Sequence, residues 1–468
     1  MSGLDPDRLF PVEPGMRTLA RDLYDSIRDL PIISPHGHCA PAWFATDDPF
    51  PDPARLFVTP DHYVFRMLFS QGVPLDDLGV PRADGVPVET DGRAIWRLFA
   101  RHYHLFRATP SRLWIDHALA EVFGVTETLS EASADRIYDH LSERLADDAF
   151  RPRALFDRFG IEVLATTDGA LDPLAHHATI RASGWSGRVI PTYRPDAIVD
   201  PDTPGFAANL DRLGEITGED TATWAGYLAA HRKRRAAFRE MGATATDHGH
   251  AEPTTANLDE SEVTALFDRI RMGDGSAADH ALFRAQMLTE MAGMSVEDGL
   301  VMQIHPGSHR NHSPEMLRLF GPDKGFDIPR AVDYTAALKP LLDRHGLNLG
   351  LTIIVFTLDE TTYARELAPL AGVYPALKIG PAWWFFDSPE GMRRYREATT
   401  ETAGFYNTVG FNDDTRAFCS IPARHDVARR VDCAYLATLV ATGRLGAADA
   451  TEVARDLAYR LAKQAYKL

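Results

Sequence analysis

The sequence predicts an α/β fold, a (β/α)8 TIM barrel with a helical insertion after its first strand. Three observations carry this. From residue 160 on, short apolar runs alternate with segments of helical length, the pattern of parallel strands joined by crossover helices. Polar and ionisable residues concentrate just after those runs, where a parallel barrel presents its functional groups. The 468 residues, 45% apolar and 25% charged, suffice to bury one large core, so a single domain over 1–468 is expected.

A helix is expected over 15–30, with Leu19, Leu23 and Ile27 recurring every four residues. It leads into the apolar run Leu30-Pro31-Ile32-Ile33-Ser34-Pro35, which ends at His36-Gly37-His38. Residues 40–155 hold no convincing strand, and their periodicity predicts helices over 61–70, 91–105, 110–123 and 134–145, the last with Ser133 as its N-cap. This is the helical insertion. Further apolar runs follow at 161–167, 189–193, 243–247, 300–305, 349–356, 376–379 and 407–411, eight in all with the first. The stretch 244–257 is polar enough to be a mobile loop. Two amphipathic helices over 426–442 and 447–466, separated by Gly443-Arg444-Leu445-Gly446, complete the barrel's outer ring.

Composition excludes some partners. Lys and Arg total 49 against 66 acids, a net charge of -17, which argues against nucleic acid or an anionic membrane surface. An anionic substrate would need locally placed arginines. The three cysteines, Cys39, Cys419 and Cys433, form no CxxC pair, so a reduced, cytoplasmic compartment is expected. No basic region followed by an apolar core opens the chain, and no run of about 18 apolar residues occurs, so a soluble, unexported protein is expected.

The chemistry concentrates at the ends of the runs. Two residues apart on extended backbone, His36 and His38 project to the same side and can reach one divalent cation. Alone, such a pair in a chain with 18 histidines reads as readily as solvated or core imidazole. The other endings are Thr166-Thr167-Asp168, Thr192-Tyr193-Arg194-Pro195-Asp196, Thr246-Asp247-His248-Gly249, Gln303-Ile304-His305, Trp383-Trp384 and Asp413-Asp414-Thr415-Arg416. His36, His38, His305 and one of Asp413 and Asp414 make a set of three imidazoles and a carboxylate, which suits zinc or a similar ion with room for substrate or water.

Longer stretches narrow the reading. His36-Gly37-His38-Cys39, Asp61-His62-Tyr63-Val64-Phe65-Arg66, Thr166-Thr167-Asp168, Arg194-Pro195-Asp196, Asp247-His248-Gly249, Met302-Gln303-Ile304-His305 with Arg310-Asn311, Ala382-Trp383-Trp384-Phe385, Asp414-Thr415-Arg416-Ala417-Phe418 and Arg424-His425 occur in order along nearly the whole chain. In these the chain resembles the uronate (glucuronate) isomerase family, a branch of the amidohydrolase superfamily that interconverts aldose and ketose hexuronates. The resemblance implies that His36, His38, His305 and Asp414 hold one divalent metal, that Tyr63 and Asp414 handle protons, and that His62 is a second acid or base. The absence of a histidine after the sixth run (Val355-Phe356-Thr357) and of a lysine after the fourth fits one metal rather than two. The chain departs from the family's pattern at Asp168-Gly169 and at Pro306-Gly307-Ser308-His309.

Moving a proton between C2 and C1 of an α-hydroxy aldehyde passes through an enediol, which needs a base over both carbons and an acid or cation at the oxygens. A carboxylate such as Asp414 suits the base and Tyr63 the acid. The substrate's own carboxylate calls for a guanidinium fork, for which Arg194, Arg310 and Arg416 are the candidates, the last two favoured by the resemblance. Of Trp383 and Trp384, one is expected in the core and the other as a sugar-facing wall. His248 and His425 read as supports of the site or as structural, and Asp413 as a neighbour that binds no metal. Rival readings exist for each: Tyr63 as a packed tyrosine, the arginines as solvated charges. A mononuclear metal-dependent amidohydrolase or lactonase is the alternative, since the metal set alone could activate water, and a sugar-binding module comes third. D-glucuronate with D-fructuronate and D-galacturonate with D-tagaturonate are both open as substrate pairs, as is assembly into a homo-oligomer.

Overall fold

The computed structural model describes residues 4–468. Its centre is a set of short parallel strands buried along nearly their whole length, as expected where helices cover the sheet. Strands β1 (Ile32–Ser34), β2 (Ile161–Ala165) and β4 (Arg188–Ile190) pair side by side, with Ile33 opposite Val163 and Leu164 opposite Val189. A second group runs in the order β11 (Leu377–Ile379), β10 (Ile353–Val355), β7 (Val301–Ile304), β6 (Ala245–His248), β5 (Tyr193–Arg194) and β3 (Asp168–Gly169), all parallel. The two groups are continuous. Thr166 N–H donates to Ile190 O at 2.9 Å and Asp168 N–H to Thr192 O at 3.0 Å, so the ladder carries on from β2 and β4 into β3 and β5. A small antiparallel pair, β8 (Ser308–His309) and β9 (Ile328–Pro329), lies outside this sheet.

Helices pack on one face of the sheet. Met302, Ile304, Ile353, Val355, Leu377 and Ile379 join Tyr227, Phe267 and Met291 from the helices Trp224–Glu240, Glu260–Arg271 and Ala277–Asp298 in one cluster. The starts of the last two helices carry capping boxes, Asp259 with Glu262 and Ser276 with Asp279. The segment after β1 is helical as expected, with helices His62–Phe69, Gly92–His102, Pro110–His117 and Ala134–Leu145 among others. Its core of Phe57, Trp96, Phe99 and Leu141 is continuous with Ile32, Ile161, Leu164 and Val189 from the sheet.

Four expectations need correction. The run over 407–411 is no strand: it makes a single bridge, Ile379 to Thr408. Gly410 sits at φ 76°, where its missing Cβ would lie 2.9 Å from Leu457 O, so the chain turns before a ladder can extend. Ser133 does not cap its helix; its hydroxyl donates to Thr128 O at 2.9 Å and stays in the preceding turn. The stretch 244–257 begins as strand β6 and continues with His250 and Thr255 buried rather than as a mobile loop, Thr255 being tied inward by its hydroxyl, which donates to Ala337 O at 2.6 Å. The last helical turn, Leu461–Ala465, leaves the outer layer: Ala462 and Tyr466 pack on the other face of the sheet against Ile33, Val163, Val301 and Ile354, and Tyr466 O–H donates to Gln303 at 2.9 Å. Among the described residues no helix is long and apolar enough to cross a membrane.

Candidate active site

The segments leaving the carboxyl ends of the strands enclose a cavity of about 490 Å³. Its lining includes every site residue the sequence singles out: His36, His38, His62, Tyr63, Arg194, His305, Arg310, Trp383, Trp384, Asp414 and Arg416. His36 and His38 follow β1, and their loop is fixed from both sides, by Thr167 O–H to Gly37 O at 2.9 Å and His38 N–H to Thr415 O at 3.0 Å. The loop 36–38 and the segment 414–415 therefore meet through backbone as well as side chains.

Asp414 Oδ1 lies 3.6 Å from His36 Nε2 and 3.2 Å from His38 Nε2, yet it is buried and makes no hydrogen bond. His305 stacks on His36 with ring centroids 4.7 Å apart, and its Nε2 is likewise buried without a partner. A carboxylate oxygen and imidazole nitrogens converging without shared protons fit a divalent cation, and the donor set is one such ions accept. The other nitrogen of His305, Nδ1, is 2.6 Å from Asp247 Oδ1. That contact places the proton on Nδ1 and leaves Nε2 as a lone-pair donor toward the site. Asp247 Oδ2 in turn reaches Arg194 Nη1 at 3.2 Å, and Arg194 Nε donates to Asp196 at 2.8 Å. Burial alone would raise the carboxyl of Asp247, but Arg194 and His305 hold it well below the ordinary carboxylate range. Asp414 is also held below that range, burial being outweighed by His36, His38 and His305.

Trp383 Nε1–H donates to Asp414 Oδ2, so this buried tryptophan orients the carboxylate. Trp384 is less buried and faces His62 edge-on at 6.0 Å and the Arg310 guanidinium at 5.9 Å. The backbone is left-handed at four lining residues, Asn311, Asp323, Trp384 and Asp414, with φ between 37° and 59°. Such strain in non-glycine residues, concentrated at one cavity, marks a functional site. Tyr63 arrives on the helix His62–Phe69, whose N-cap Asp61 accepts from Tyr63 N–H at 2.9 Å. Burial pushes the Tyr63 phenol up, so it is protonated at neutral pH. Burial, with Arg416 and Arg66 nearby, pushes His62 down to about 3, so it is neutral.

The arginines differ. Arg194 is engaged by Asp196 and Asp247, Arg310 reaches Asp323 only at 3.7 Å, and Arg416 forms no salt bridge among the described residues. His248 bonds Thr246 within β6, while His425 Nε2 lies 3.0 Å from Asp413 Oδ2. Asp413 is thereby turned toward His425, and Asp414 toward the imidazoles. Sequence reasoning missed the Asp247 bridge between His305 and Arg194, although an acid one residue inside the end of an apolar run was the available signal. It quoted Arg424 within the Arg424-His425 stretch but gave it no role; buried, it stacks 3.5 Å over Trp114 and 5.4 Å from the Tyr63 ring while pairing with Asp387.

Comparison with known proteins agrees with this arrangement. A family model described as glucuronate isomerase matches residues 15–466. The uronate isomerase of Rhizobium meliloti is 68% identical over 469 residues, covering 100% of both chains. The crystal structure of glucuronate isomerase from Caulobacter crescentus superposes with a TM-score of 0.98 at 59% identity, covering 99% of this chain and 97% of that one. That of the uronate isomerase from Thermotoga maritima does so with a TM-score of 0.92 at 26% identity, covering 100% of both. With its strand ends converging on three imidazoles and a carboxylate, and its whole length matched by such relatives, the chain belongs to the glucuronate isomerase family.

Proposed function

We propose that this chain is an aldose-ketose isomerase that interconverts D-glucuronate with D-fructuronate, and/or D-galacturonate with D-tagaturonate, by proton transfer between C2 and C1 through an enediol. The observation that carries the reading is one cavity in which Asp414, Tyr63, the weakly held Arg310 and Arg416, unpaired among the described residues, meet in a chain of this family. A bare metal-water site needs neither the phenol nor the guanidinium groups.

The chain's own groups take distinct parts. Asp414, ionised and oriented by Trp383, is the base that carries the proton between C2 and C1. Tyr63, protonated, donates to the carbonyl oxygen as charge develops there. Neutral His62 beside it serves as a second proton acceptor. Arg416 and Arg310 clamp the substrate carboxylate, since their guanidinium donors are free or weakly held. Arg194, spent on two carboxylates, works through Asp247 to hold His305. Trp384 forms the sugar-facing wall. His36, His38, His305 and Asp414 would hold one divalent ion, zinc, whose positive field would stabilise oxygen charge and orient hydroxyls; His36 is common to the two clusters present, His36-His38-Asp414 and His36-His305-Asp247.

We also propose that the parallel strands, with the bridged segment 407–411 taking the eighth position, close into a (β/α)8 barrel forming a single domain, with 40–155 as an insertion over its mouth. The continuous strand order, the Thr408 bridge beyond β11 and the His38-to-Thr415 hydrogen bond back to β1 support closure. The core shared between the insertion and β1, β2 and β4 supports a single domain. Three buried free cysteines suit a cytoplasmic protein, and the net charge of -17 leaves a small hexuronate rather than nucleic acid or membrane as the partner. The test is turnover. Incubated with D-glucuronate or D-galacturonate, the protein should yield the matching ketose; cleavage of an amide or lactone panel with no hexuronate turnover would favour the hydrolase instead.

A further inference from the structure

His250 has no part in the scheme above, and its position calls for one. It lies two residues beyond β6, is 4% exposed and lines the same cavity as the convergent histidines. Both its ring nitrogens are buried, and neither has a hydrogen-bond partner. Buried polar groups are rarely left so, and a side chain with two unmet atoms on a cavity wall points to a ligand.

The wall around it is built and already satisfied. Asp196 accepts from Arg194 Nε at 2.8 Å and from Gly249 N–H at 3.2 Å, and Asp200 accepts from Arg284 at 2.7 Å. A Cβ on Gly249 would lie 2.1 Å from Arg194 Nη2, so this backbone runs directly against the guanidinium. The charged groups facing His250 are Asp196, Asp200, Arg284 and Arg194, two of each sign, and burial keeps the imidazole neutral. A neutral imidazole offers one donor and one acceptor. That is the complement of an alcohol, which both donates and accepts, rather than of a carboxylate.

We propose that His250 binds the C4 hydroxyl of the hexuronate and is a specificity-determining residue; this rests on the isomerase reading. The two candidate aldoses differ only in configuration at C4, so a wall that reads this hydroxyl sets the preference between them. Protein residues compensate for neither ring nitrogen, and a sugar hydroxyl would meet one of them.

The test uses the metal-replete protein and its His250→Phe and His250→Asn variants, after matching melting temperature and metal content. Each is assayed on D-glucuronate, D-galacturonate and their 3-, 4- and 5-deoxy analogues. Wild type should lose about tenfold or more in kcat/KM on the 4-deoxy analogue. His250→Phe should lose as much on the parent sugar but nothing further on that analogue, with a changed ratio between the C4 epimers. His250→Asn, which keeps a donor and an acceptor, should recover part of the activity and serves if the Phe variant fails to fold. Unchanged ratios, or equal losses on every analogue, would overturn the proposal. Failure of wild type to turn over any hexuronate would instead overturn the isomerase reading, and this inference with it.

Discussion

In the proposed mechanism Tyr63 is the acid, and among the described residues no other phenol lines the cavity beside the convergent histidines. Tyr63→Phe keeps the ring packed on Trp114 and removes only the acid, so kcat should fall about 10²- to 10³-fold with metal content unchanged. A loss below tenfold would hand the role to His62. Arg416→Met should raise KM and lower kcat/KM for a hexuronate, since the anchor of the anion goes while the proton groups stay. Asp168 makes a separate prediction. Burial raises its carboxyl to about 7, while Thr166 O–H donates to it at 2.7 Å. Because the folded pKa lies above the unfolded one of about 3.9, the native state binds more protons between the two, and this group's contribution to stability falls as pH rises through that window. Asp168→Asn should therefore gain on wild type from about pH 5 to about pH 8, by on the order of 2 kcal/mol, in denaturant titrations. An unchanged difference across that range would refute the shift. Residue types at strand ends made His36, His38, His305 and Asp414 legible in the sequence. The Arg424–Trp114 stack behind Tyr63 was not, because it joins residues about 300 positions apart with no shared pattern.

At the scale of elements, helix signals read well where the apolar periodicity is strong. The helix Ala134–Leu145 matches its expected bounds, and His62–Phe69 lies within the expected 61–70. Reading fails where tertiary contacts override the local pattern. The apolar run over 407–411 has strand composition but turns at Gly410, and the polar stretch after β6 folds inward, tied by the Thr255 hydroxyl. Two helices illustrate such contacts. Arg396 of Pro389–Thr400 and Asp432 of Ile421–Ala441 form a bidentate pair at 2.7 and 2.8 Å, both buried. Asp432→Ala leaves the guanidinium buried and unpaired, and should cost about 3–5 kcal/mol in unfolding free energy. The double change Arg396→Met with Asp432→Leu should cost much less, because it removes both charges. Equal losses would mean that packing, not charge burial, holds these helices together.

For the whole molecule, a parallel sheet collects groups from remote parts of the chain at one end, which is why ordered motifs foretold a site whose geometry the sequence does not contain. The same convergence predicts about one equivalent of divalent metal per chain in protein purified without chelator. Its removal should lower the melting temperature, because the ion binds only the folded arrangement; a protein that melts identically with and without metal would speak against a site formed by these four residues. The central claim is proton transfer between C2 and C1 of a hexuronate. Its most direct test is proton NMR of the turnover of D-glucuronate or D-galacturonate in deuterated water. The account predicts a ketose carrying deuterium at C1, with Tyr63→Phe and Asp414→Asn slowing its appearance, the latter read only after metal content is matched. Ketose that carries only protium at C1 would mean that the transferred hydrogen never reaches a base in exchange with solvent, and would contradict the account.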